Sequence, residues 1–150
     1  MILAALLLAA APGGVATAER AGCYDDDRSS GQLVRVYRGD RACVAFDPPR
    51  EMSGVWINEF EGQAFVADAA TLAQARAAAR PLPWINTEET LTPFDATRLR
   101  GHAYRIRFVG RQARDMKRAP LNGYGHMSMS PGLVIVDEML SMEDLGPFRR

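Results

Sequence analysis

The side chains best equipped for chemistry lie in one stretch, RQARDMKRAPLNGYGHMSMS, residues 111–130. His126, Met127 and Met129 combine an imidazole with two thioethers, donors that select Cu(I). On an extended segment the Met-x-Met alternation would put both sulfurs on one side. Arg111, Arg114, Lys117 and Arg118 at the other end of the stretch can contact the oxygens of an anionic ligand, with Tyr124 able to stack beside them. Catalysis would need His102 or His126, the two histidines of the chain, paired with Ser or Asp. No G-x-S-x-G elbow or H-E-x-x-H metal motif is present. His126, between Gly125 and Met127, is better placed to hydrogen-bond the loop backbone than to act as a base. The expectation is therefore a non-enzymatic protein with no catalytic residues.

The net charge of the chain is zero, but its distribution favours an anion face. Residues 98–118 hold eight basic side chains against one acid, which leaves ten basic against seventeen acidic elsewhere. Such asymmetry permits local anion binding without a basic protein. It equally permits the basic segment to face the acidic part of its own fold. Lys117 is the one lysine. An arginine count this lopsided reads as codon bias, so it adds nothing to the case for recognition.

The elements that must position this stretch can be read on either side of it. His102 starts a strand in which Tyr104, Ile106 and Phe108 point inward and Arg105 and Arg107 outward, and Leu133 to Val136 forms a second strand. Met139, Leu140 and Met142 then help to close the core. Upstream, residues 32–38 and 42–46 read as a hairpin about Gly39-Asp40. Residues 54–67 read as one long curved strand bent at Gly62, anchored by Trp56, Phe60 and Phe65, with Glu59 and Glu61 on its outer face. Asp68 is expected to cap a helix over 69–80, ended by Pro81. Trp84-Ile85 adds a short strand, and residues 86–100 read as an irregular connection.

Residues 1–18, MILAALLLAAAPGGVATA, have the apolar run and the Ala-Thr-Ala end of a signal peptide, and the run is too short to span a bilayer. Residues 19–150 then form one domain in the periplasm or outside the cell. Cys23 and Cys43, the two cysteines, are expected to form a disulfide stabilising the fold by roughly 3 kcal/mol. Asp25 to Asp27 lack the Gly and distal Glu of a calcium loop and read as a solvated turn.

Strand, strand, long strand, helix, strand, strand is the order of a mainly β protein: a small antiparallel OB-like barrel with its helix between strands three and four. In that arrangement the connection between the last two strands flanks the ligand face, and that connection is the stretch above. The pattern Gly54-x-Trp56-x-x-x-Phe60-Glu61, Tyr104-x-x-x-Phe108-x-Gly110 and Gly123-Tyr124-Gly125-His126 resembles small, secreted, functionally uncharacterised proteins of Gram-negative bacteria. The resemblance implies an exported β-rich domain and brings no site residues with it. The His-Met-x-Met segment is also similar in kind to the sites of periplasmic copper metallochaperones, which use a small OB barrel and a nearby tryptophan; here the histidine abuts the methionine pair instead of coming from elsewhere in the barrel. The expected function is binding of an anionic envelope component, a polysaccharide, lipopolysaccharide or protein, by a monomer with no cofactor. Nucleic acid is not expected as the physiological ligand. The alternative is Cu(I) binding through His126, Met127 and Met129.

Overall fold

The computed structural model describes residues 22–87 and 100–148. The expected signal peptide and most of the irregular connection at 86–100 lie outside them. No helix among the described residues is long and apolar enough to cross a membrane. The chain divides into two compact units, the first ending at Val44 and the second beginning at Ala45.

In the first unit β1 (Tyr24–Asp27) pairs antiparallel with β2 (Val34–Tyr37), and both are exposed along their length. The acidic run at 25–27 is therefore strand, not turn. The expected partner of β2, residues 42–46, does not form a strand. Gly39, at φ 88°, turns the chain into a single helical turn, α1 (Asp40–Cys43). Cys23 and Cys43 are neighbours with no bond drawn between them, each sulfur close to the other's carbonyl oxygen at 3.7 and 3.6 Å. The expected disulfide is thus a juxtaposition without a bond. Burial first, then the adjacent Cys23, pushes the Cys43 thiol up to about 11, so the neutral form dominates at neutral pH.

The second unit is built on β3 (Arg50–Glu59), β4 (Gly62–Ala67), β5 (Trp84–Asn86), β6 (His102–Gln112) and β7 (Leu133–Pro147). The mainly β expectation holds, although the strands differ from those expected. Residues 54–67 are not one bent strand but parts of two. Glu61 adopts a left-handed φ of 54° and folds the chain into a β3–β4 hairpin with Gly54 opposite Ala67. Phe60 is left in the turn, 71% exposed, whereas Trp56 and Phe65 are buried as expected. The ladders run β3-β4-β5-β7-β6 and return to β3 in a closed barrel, so every strand has two neighbours. Closure removes the exposed edges on which β proteins aggregate. The barrel is not wholly antiparallel: β5 lies parallel to β7. A parallel pair requires a crossover, and β6 lies within the one between β5 and β7.

The helix is shorter than expected, α2 (Leu72–Ala77), and Thr71 caps it rather than Asp68. Thr71 accepts from Gln74 N–H while the Gln74 side chain reaches back to the Thr71 N–H, a reciprocal capping box. Asp68 sits one turn too early, at φ 59°. The helix falls between the second and third barrel strands, because the expected third strand was in fact the first two.

Val55, Trp56 and Ile57 in β3 are all at most 1% exposed, since the strand is covered on both faces. Inside the barrel Met52, Trp56, Phe65, Ile85, Tyr104, Ile106, Phe108, Val134 and Val136 form the main core. Outside it, Val55 and Ile57 pack with Ala75 of α2 and with Phe148. The alternation read from residues 104–108 is observed, Arg105 and Arg107 being exposed.

Candidate functional site

The connection between β6 and β7, residues 113–132, is held by its own backbone. Arg118 N–H donates to Pro131 O, Tyr124 and Ser130 exchange both main-chain bonds at 2.8 and 3.0 Å, and Gly123 N–H donates to Ser128 O. Two glycines make this possible. A Cβ on Gly123 would stand 2.1 Å from Ser130 O, and one on Gly125 would stand 2.2 Å from the Trp84 indole. Gly125 also has φ 67°, which side-chain-bearing residues rarely adopt. The chain therefore lies flat on Trp84 of β5. Beyond it His126 Nε2 reaches Glu61 Oε2 in the β3–β4 turn at 3.5 Å, with both side chains about half exposed.

The structure distributes the expected anion ligands rather than gathering them. Arg111 pairs with Asp137 at 3.0 Å, and Arg114 bonds Phe46 O at 3.2 Å and approaches Asp47 at 3.8 Å. Arg118 pairs with Asp115 at 3.2 Å. Arg105 meets Glu143 directly across the β6–β7 ladder, and Arg107 approaches Glu51 of β3. Much of the basic surplus thus faces acids of its own unit. Lys117 is exposed, its backbone N–H bonded to Asp115. Tyr124 is not an open stacking platform: it is buried, its hydroxyl donates to Asp115 O, and the Arg118 guanidinium lies 4.3 Å above its ring.

The expected copper ligands do not lie on an extended segment. His126–Ser128 is a 3-10 turn, with Met127 and Ser128 at φ 55° and 56°. The tight Gly123–Ser130 reversal rules out strand geometry, so the same-side alternation of Met127 and Met129 is lost. Both methionines are nevertheless exposed, at 68% and 49%, and so are not core filler.

Two arrangements carried no sequence signal. At one end of the barrel Trp56 Nε1 donates to Gln63 Oε1 at 2.6 Å and Gln63 Nε2 donates to Asn58 Oδ1 at 2.8 Å. Beside them His102 Nδ1 lies 2.9 Å from both oxygens of Asp144, whose Oδ1 also accepts from Gly146 N–H. The His102 bond holds the Asp144 carboxyl below its ordinary range. Burial, with Asp144 nearby, pushes the Tyr104 phenol up to about 12. At the opposite end is a cavity of about 310 Å³ bordered by Arg50, Met52, Phe65, Gln112, Met116 and Val134. These residues converge only because β3, β4, β6 and β7 share an interior.

The chain matches no family model, no curated protein and no solved structure.

Proposed function

We propose that this chain is an exported, non-enzymatic binding protein that takes an anionic component of the bacterial envelope on an OB-like barrel. In barrel order its strands run first, second, third, fifth, fourth, with the parallel contact between third and fifth. In OB barrels the loops joining strands one to two and four to five flank the ligand face. The observation that carries the reading is the meeting of the corresponding segments here. The β3–β4 turn touches the β6–β7 connection through Glu61 and His126, and the ordered connection presents Arg114 and Lys117 to solvent.

The ion pairs on the connection do not oppose this reading. Exposed pairs are worth about 0–1 kcal/mol, so a polyanion can replace Asp47 and Asp115 as partners at little cost. The test is retention on immobilised heparin and on purified lipopolysaccharide at rising salt, for the parent and for an Arg114→Ala, Lys117→Ala, Arg118→Ala triple variant. Retention is expected to fall with salt and to fall again in the variant. Retention that ignores both treatments removes the reading.

A further inference from the structure

The cavity at the barrel end where β3 begins has a chemistry distinct from that of the connection. Part of its wall is apolar, Met52, Phe65 and Val134 from three strands and Met116 from the start of the connection, while Glu51, Ser53, Asp68 and Arg107 border it on the other side. The Phe65 and Phe108 rings turn toward Gly54 and Gly110, where an added Cβ would come within 2.8 Å of them. Nothing as large follows at the next interior positions toward this end. Arg50 on β3 has the same inward register as Met52, and Gln112 on β6 the same register as Phe108. Both long polar side chains stand beside the apolar part of the cavity wall.

Arg50 donates to Gln112 Oε1 at 3.2 Å, a neutral acceptor, and meets no carboxylate among the described residues. The acids on the same rim are placed otherwise. Glu51, which also borders the cavity, approaches Arg107 at 3.6 Å. Asp68 stands beside Ser53, whose carbonyl accepts its backbone N–H, three residues along β3 from Arg50. A guanidinium with spare forked donors over an apolar wall suits a carboxylate joined to an apolar body. The cavity volume lies at the lower end of the range for small-molecule sites.

We propose that this end of the barrel binds a compact amphipathic carboxylate, its apolar body against Met52, Phe65, Met116 and Val134 and its head group on Arg50. The site uses none of the cations of the connection, so it stands or falls separately from polyanion binding there.

The test is calorimetric titration of the full chain with decanoate, decylammonium and decan-1-ol. Decanoate is expected to bind saturably at one site, and the amine and alcohol to bind more weakly. Arg50→Gln, an exposed change, should weaken decanoate about ten-fold or more while the alcohol is unaffected. Ala67→Phe, which adds bulk at an exposed lining residue, should abolish decanoate binding with Arg50 intact. The Arg114, Lys117, Arg118 triple variant should keep decanoate affinity, and Arg50→Gln should keep heparin retention. Absence of saturable decanoate binding overturns the proposal. So does equal binding of decylammonium, or an Arg50→Gln affinity equal to the parent's.

Discussion

The two ends of the barrel are built from the same strands and finished in opposite ways. Where β3 ends, inward-facing polar side chains satisfy one another: Trp56 with Gln63, Gln63 with Asn58, and His102 with Asp144. Where β3 begins, the inward-facing polar residues are Arg50 and Gln112, and a cavity walled in part by Met52, Phe65 and Val134 lies behind them. A polar network in a low-dielectric interior is stable only when its members are partnered, and one end meets that condition internally. The other end leaves a guanidinium with capacity to spare. The contrast separates a plug from a receptor, although both are polar side chains at barrel mouths.

Substitutions can break this comparison in order of size. Phe108→Ala, in the wall between the ends, removes a fully buried ring that meets Phe65 edge-on at 5.4 Å. It should cost about 3–5 kcal/mol in urea unfolding. A loss below about 1 kcal/mol would mean that the two ends do not share one packed interior. Gln63→Ala at the plugged end takes the acceptor from the buried Trp56 N–H and should cost about 1–3 kcal/mol. Trp56→Phe in that background should cost less than in the parent, because the donor is then already unpaired. Full additivity in the double-mutant cycle would show that the 2.6 Å bond contributes nothing.

The smallest effect concerns acid. Asp144 is held below its ordinary value of 3.8, chiefly by His102. A carboxyl with a depressed folded value stabilises fully above 3.8 and loses that contribution as pH falls through the lower folded value. Asp144→Asn should therefore flatten the pH dependence of stability below pH 3.8. The pair is partly exposed, so the change is small. An unaltered acid limb in the variant would detach His102–Asp144 from the plug.

The strands flanking the connection were legible in the sequence because alternation is a local signal. Tyr104, Ile106 and Phe108 inward with Arg105 and Arg107 outward needs only a period of two and one buried face. The β3–β4 turn was not legible. Val55-Trp56-Ile57 is apolar at every position because both faces are covered, which erases the alternation, and Gly62 reads equally well as a bulge. The left-handed Glu61 is imposed by pairing between β3 and β4, not by its own preference. The candidate site divides in the same way. That residues 113–132 would carry Arg114, Lys117 and His126 together was plain, whereas Tyr124 buried beneath Arg118 was not.

The sequence by itself determined which segments are strands around the connection, how cations crowd residues 98–118, and that no familiar hydrolase or zinc-protease motif is present. Those properties depend on residue type and short spacing. Only the tertiary structure decided that the arginines of β6 face Glu51, Glu143 and Asp137 on its neighbours, that Gly125 seats the connection on Trp84, and that Arg50 stands over Met52, Phe65 and Val134. Each of these joins residues far apart in the chain, and closure of the ladders brings them together.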